Sequence, residues 1–115
     1  MIVDFRYLPE FERRAKALAK RYKSFVADFN NFLDSMSEDP FQGKSLGNGV
    51  YKTRMAITSK GKGKSGGARI LTYNLTKDTD NKVVVTLMSV YDKSDISNVK
   101  DNYIDNLVKQ INVTL

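Results

Sequence analysis

A chain of 115 residues, 41% apolar and 28% charged, has ordinary globular composition and length for one hydrophobic core, which excludes a wholly disordered chain and points to a single domain over residues 1–115. It contains no cysteine and no histidine, so disulfides, thiol nucleophiles, thiolate metal sites and the commonest neutral-pH proton shuttle are all excluded, and acid–base chemistry falls to lysine, tyrosine or carboxylates. The net charge of +6 is concentrated in residues 41–77, which hold Lys44, Lys52, Arg54, Lys60, Lys62, Lys64, Arg69 and Lys77 and no acid; such a segment favours a polyanion, most simply nucleic-acid phosphate, against the plain alternative of a solvated loop.

In chain order, "IVDFRYL" (2–8) puts Val3, Phe5 and Tyr7 on one face at the two-residue period of a strand, and Pro9 ends it. Pro9 then suits the first turn of a helix and Glu10 and Glu12 its positive end, while Phe11, Ala15, Leu18 and Tyr22 recur at helical spacing. The stripe resumes with Phe25, Phe29, Phe32 or Leu33, and Met36, with Ser24 placed to cap. A hairpin of two helices broken near Lys23 is more compact than one long helix, and phenylalanines at this spacing are read as core.

From residue 50 the period changes. "VYKTRMAI" alternates Val50, Lys52 and Arg54 against Tyr51, Thr53 and Met55, so both cations share one face of a strand. "ARILTYNL" (68–75) and "VVVTLMSVY" (83–91) are two further strands, the second apolar enough to be central, with "TKDTDNK" as the turn between them. Asp95 or Ser97 is placed to cap a last helix from about Asn98 to Asn112, with Val99, Tyr103, Leu107, Val108 and Ile111 on one side. The expected fold is α+β in the order βααβββα: an antiparallel meander sheet with an N-terminal helical hairpin and a C-terminal helix. No apolar run reaches transmembrane length and "MIVDFRYLPE" lacks a signal-peptide pattern, so a cytoplasmic location without a membrane partner is expected.

The stretch "SKGKGKSGGAR" (59–69) matches two nucleotide-binding patterns as text. Gly61, Gly63 and Gly66 satisfy G-x-G-x-x-G, and Gly63-Lys64-Ser65 ends like a P-loop. Both motifs work by starting a helix whose N-terminal amides meet the phosphate, whereas here strand-like "ARILTYNL" follows, and Thr58 stands where the P-loop needs its first glycine. What remains is a glycine- and lysine-rich connection between strands, open to close approach by a phosphate backbone through Lys60, Lys62 and Lys64, or a plain surface hairpin.

The segments "LGNGVYKTRMAI" (46–57), "KGKGKSGGARI" (60–70) and "SVYDKSDIS" (89–97) resemble the RelE/ParE superfamily of type II toxin–antitoxin toxins, especially its HigB-like branch. The resemblance covers nearly the whole chain and implies the RelE-like fold. It further implies a toxin that enters the ribosomal A site, meets mRNA and rRNA there, cleaves the mRNA, and is held inactive by a cognate antitoxin. Carried over by position, Lys52 and Arg54 match the basic pair of the first meander strand, Arg69 the arginine that opens the second, and Tyr91 and Lys93 the end of the last. Some relatives carry histidine, other basic residues or a C-terminal tyrosine where this chain has others.

RNA cleavage through the 2′-hydroxyl needs that oxygen deprotonated, the departing 5′-oxygen protonated and the phosphorane charge neutralised, which side chains can do without metal or cofactor. Arginine matches phosphate oxygens, so Arg69 and Arg54 are the expected clamps. A lysine among the cluster of Lys52, Lys60, Lys62 and Lys64 suits a base if its neighbours lower its pKa. Tyr91 suits a proton donor, a stacking platform or a strand-end core residue; Asp92 suits a carboxylate base or a partner for Lys93. The expected activity is therefore a ribosome-dependent endoribonuclease. The alternatives are a ParE-like gyrase inhibitor and a catalytically inert RNA- or ribosome-binding module.

Overall fold

Alternation of Val3 and Phe5 with polar residues makes β1 (Ile2–Tyr7), and Pro9 opens α1 (Pro9–Arg21) with Glu10 and Glu12 in the first turn and Lys20 and Arg21 in the last, as the helix dipole favours. The computed structural model describes residues 1–77 and 81–114, with side chains described through Ile111. After a break at Tyr22–Ser24, α2 (Phe25–Glu38) buries Phe25, Phe32 and Met36. Ser24 occupies the N-cap position but makes no capping bond; its hydroxyl serves Asp28 and the amide of Ser59 instead.

Four strands follow rather than three: β2 (Lys44–Gly47), β3 (Val50–Met55), β4 (Ala68–Lys77) and β5 (Lys82–Asp92), with a short 3-10 turn at Thr58–Lys60 between β3 and β4. The expected order βααβββα lacks β2. All four β2 residues are exposed, so "KSLG" has no apolar alternation to reveal it, and it exists because "GNG" turns the chain back on itself with positive φ at Gly47, Asn48 and Gly49. The spatial order is β1-β5-β4-β3-β2. The strands β2 to β5 form the antiparallel meander, while β1 lies parallel to β5, so the sheet is mixed rather than wholly antiparallel. The last helix, α3 (Asp101–Thr114), begins after Asn98. The central residues of the "TKDTDNK" turn, 78–80, lie outside the described residues.

Two cores sandwich the sheet. Helices α1 and α2 cover one face through Phe11, Leu18, Phe25, Phe32 and Met36, packed on Ile70, Val83, Val85, Leu87 and Val90. Helix α3 covers part of the other through Leu107 and Ile111, packed on Val50, Leu71, Met88 and Tyr91. A bulge re-phases β5: Leu71 pairs with Ser89 but Thr72 with Leu87, leaving Met88 as the extra residue. Beyond it Val90 and Asp92 face α1, and Tyr91 turns toward the opposite face.

The chain between β3 and β4 returns tightly over its own start. A Cβ on Gly67 would stand 2.2 Å from the Met55 carbonyl oxygen and 3.0 Å from the Ala56 Cα and the Ile57 nitrogen, all backbone that no rotamer change can move aside. Gly67→Ala is therefore expected to lower unfolding free energy by about 2 kcal/mol. Gly63→Ala, with open space around it but φ of 62°, should lose about 1 kcal/mol, both read from chemical denaturation midpoints.

Candidate functional site

Strand register brings the basic residues together. Arg54 of β3 lies directly opposite Arg69 of β4, and Arg69 opposite Tyr91 of β5, so the three form one row across the sheet. Two residues away, Lys52 lies opposite Lys44 of β2. Alternation places Lys52 and Arg54 on the face that carries Val50, beside the area that α3 covers. Like charges directly opposite each other destabilise an antiparallel pair, and this sheet has two such pairs side by side here besides Lys77 opposite Lys82 at the other end of β4. Among the described residues no carboxylate lies within ion-pair distance of Lys44, Lys52, Arg54, Arg69 or Lys93.

The consequence is legible in Lys52, which is half-buried. Burial, and then the charges of Lys44, Lys93, Arg69 and Arg54, hold its ammonium below the ordinary lysine value. Arg69 is lowered in the same way by burial and by Arg54. The residue is 6% exposed, yet its guanidinium's partners are neutral: Nη1 donates to the carbonyls of Lys64 (3.0 Å) and Ala68 (3.2 Å), and Nη2 to that of Ser65 (3.0 Å). Carbonyl dipoles orient the group without cancelling its charge. The charge of Arg69 is thus fixed and buried, and it adds to the positive field of Arg54 and Lys52 on this face.

Residues 58–69 are fixed at three points. Asp28 of α2 accepts from the Thr58 amide (2.8 Å) and hydroxyl and from the Ser24 hydroxyl (2.8 Å), and these bonds outweigh burial to hold its carboxyl below the usual range. Asp92, fully buried, accepts from Lys60 Nζ (2.7 Å), the Ser94 amide (2.9 Å) and the Tyr22 hydroxyl, with Arg21 at 3.6 Å. Burial alone would raise the Asp92 carboxyl, but Lys60, Tyr22 and the Ser94 amide reverse the sign and place it far below the carboxylate range. Arg69 is the third pin, holding Lys64 and Ser65.

The expected site residues therefore separate. Lys52 and Arg54 share the open basic face with Arg69 buried in the row beside them, and Lys62 and Lys64 are exposed on the adjoining loop. Lys60 does not join the loop's exposed cations: its side chain is 8% exposed and its ammonium is held by Asp92 and Ser94. Asp92 is paired with Lys60 rather than with Lys93, whose Nζ donates to the Ser97 carbonyl (2.9 Å) while its charge still reaches Lys52. Tyr91 is 3% exposed and packs in the core under α3, so burial raises its phenol; its hydroxyl has no hydrogen-bond partner among the described residues. Tyr103, linked to Ser89 (2.7 Å) and Glu10 (2.7 Å), and Ile96 and Val99 belong to the same cover.

A groove of about 300 Å³ opens beside the row, lined by Gln42, Gly43, Lys44, Lys52, Thr53, Arg54 and Lys64. Neither a family model nor a curated protein matches the chain. Among the described residues no cluster of three histidine, cysteine or carboxylate groups could hold a metal ion, and no helix is long and apolar enough to cross a membrane. Lys44 and Gln42 were not expected in the site. Lys44 was visible as part of the basic segment, but only the register of an edge strand without apolar pattern places it opposite Lys52.

The buried Asp92 supplies a direct test of the loop anchor. Replacing it with asparagine leaves Lys60 buried without its counter-charge, and Asp92→Asn is expected to cost about 3 kcal/mol at neutral pH. The second change Lys60→Met should restore part of that loss in urea unfolding. Because the folded carboxyl is depressed, its contribution is complete above the unfolded carboxylate range and disappears as pH falls from there through the folded value. Asp92→Asn should therefore flatten the acid limb of the stability profile.

Proposed function

We propose that the protein is a type II toxin similar to the RelE/ParE superfamily and its HigB-like branch, with a RelE-like fold. On this reading it is an mRNA interferase: a ribosome-dependent endoribonuclease that enters the A site, cleaves mRNA without a metal and inhibits translation in the cytoplasm until a cognate antitoxin covers it. The single observation that carries the reading is the pair of like-charged rows, Lys44 opposite Lys52 and Arg54 opposite Arg69, with no carboxylate among them in the described residues. A fold that tolerates such rows gains from the anion they attract, and an array reaching a lysine with lowered pKa suits proton transfer as well as binding.

In the proposed mechanism the neutral fraction of Lys52 takes the proton of the 2′-hydroxyl, and the oxygen attacks the adjacent phosphorus. Arg54, exposed on this face, contacts and neutralises the phosphorane, and the buried charge of Arg69, fixed by the loop carbonyls, adds to the field there. The bond to the 5′-oxygen breaks, Lys93 supplies the proton that oxygen needs, and a 2′,3′-cyclic phosphate and a 5′-hydroxyl remain. Lys62 and Lys64 hold flanking phosphates. Tyr91 is a packing residue beside Arg69 in this mechanism, because its hydroxyl is enclosed.

Mapping mRNA ends in a translating extract tests the reading. Codon-phased cuts that require ribosomes are expected, and Arg54→Ala or Lys52→Met should each reduce them by roughly 100-fold. Intact mRNA with arrested DNA supercoiling would replace the reading with gyrase inhibition, and intact mRNA with plain RNA retention would leave an inert binder.

A pH series adds a test of Lys52 itself. Cleavage should rise as pH passes through the lowered Lys52 value. Lys44→Ala removes a repelling charge, raises that value and should move the rising limb to higher pH. An unmoved limb would assign the base elsewhere.

A further inference from the structure

β2 pairs with β3 only as far as Lys52, so the remainder of β3 is an open edge. Along that edge, between β3 and α2, lies a second groove of about 250 Å³, continuous with the basic one through Gln42, Arg54 and Lys64. Its lining differs in kind. Phe32 and Met55 give it an apolar floor, Asn31, Ser35 and Gln42 give it polar groups, and Arg54 stands where the two grooves join. A flat apolar-floored slot beside a phosphate-binding face, with an arginine at the junction, has the elements that hold a splayed nucleobase: contact for its faces, a guanidinium to stack on and hydrogen bonds for its edge.

One of those hydrogen bonds has a fixed sense. The Gln42 amide nitrogen donates to the Ser35 hydroxyl (2.9 Å) and to the Asp39 carbonyl (3.1 Å), and a carbonyl can only accept, so the amide orientation is determined. Both N–H groups are thereby occupied, and Oε1 is left as an acceptor with no partner among the described residues. Asp28 also lines the groove, but its oxygens are engaged by Thr58 and Ser24. A fixed acceptor recognises a donor: adenine, cytosine and guanine present one on an exocyclic amino group, whereas uracil presents only its N3–H, flanked by two carbonyl oxygens that repel an approaching acceptor.

The geometry points to the groove between α2 and the open edge of β3 as a base-selecting subsite, in which Gln42 accepts from the exocyclic amino group of the nucleotide next to the bound phosphate. The inference rests on the RNA-binding reading above and deepens it. Lys52, Arg54 and Arg69 bind any sequence through phosphate, and Gln42 selects among bases at one position.

The test uses fluorescence anisotropy of the whole protein with hexameric rA, rC and rU at low salt, for the unaltered chain and for Gln42→Leu, a change at an exposed position that leaves the sheet untouched. The unaltered protein should bind rA and rC roughly five- to tenfold more tightly than rU. Gln42→Leu should lower the affinities for rA and rC toward that for rU, and Lys52→Met should weaken all three alike. Equal affinities in the unaltered protein, or a preference that survives Gln42→Leu, would overturn the subsite and leave phosphate binding intact. Failure to bind any of the three would overturn RNA binding by this face and the subsite with it.

Discussion

A carboxylate sealed inside a protein must find enough donors to replace water, and Asp92 finds them from three directions. Tyr22 and Arg21 come from the end of α1, the Ser94 amide from its own turn, and Lys60 from the loop between β3 and β4. That requirement organises the site. It draws Lys60 inward, which sets the 3-10 turn, and Gly61 at φ of 72° then redirects the chain. Asp28 fixes the same turn from α2, and Arg69 fixes the far side of the loop. A segment with four basic residues and four glycines between 59 and 69 would otherwise sample many conformations, and three polar anchors hold it over the sheet.

The division of charge follows from the same arrangement. Both buried carboxylates of the region, Asp28 and Asp92, lie on the helix-covered side and are satisfied there. Around Lys44, Lys52, Arg54 and Arg69 on the other face no carboxylate lies within ion-pair distance among the described residues, and Arg69 is oriented by carbonyls that do not cancel its charge. The bulge at Met88 enforces this separation, because it is the shift in β5 that sends Asp92 toward α1 while Tyr91 remains beside Arg69. Without the extra residue, a one-position change of phase would exchange their faces. The like-charged rows are a stability cost, and the two packed cores are what allow the fold to bear it.

Much of this was legible in the sequence, because apolar periodicity reports burial. The stripe from Phe11 to Met36, the alternation of Lys52 and Arg54 and the strand-like context of the glycine loop all follow from spacing alone, and they place the basic face. What spacing does not carry is pairing. β2 has no buried residue and so no period, which hid both the fourth meander strand and the position of Lys44. Lys60 reads as one more surface cation until a carboxylate 32 residues away claims it. Tyr91 sits at a strand end where exposure is the ordinary expectation, and its burial depends on Ile96, Val99 and Tyr103 folding over it from the chain beyond.

In the proposed reaction these distinctions assign different work to residues of the same chemical type. Arg69 is preorganised: its hydrogen bonds fix the guanidinium before substrate arrives, so little reorganisation is needed when phosphorane charge develops. Arg54, exposed on the neighbouring strand, can follow the substrate. Lys60 is barred from contact because its ammonium completes a buried pair, whereas Lys52, with no such pair among the described residues and four cations around it, has its ammonium held below the ordinary lysine value. Substituting Arg69 would alter both the clamp and the loop, so a loss of activity there would not distinguish chemistry from positioning. Arg54 and Lys52 lack the loop contacts that tie Arg69 to the fold, and the assignment of chemistry to this face rests most cleanly on them.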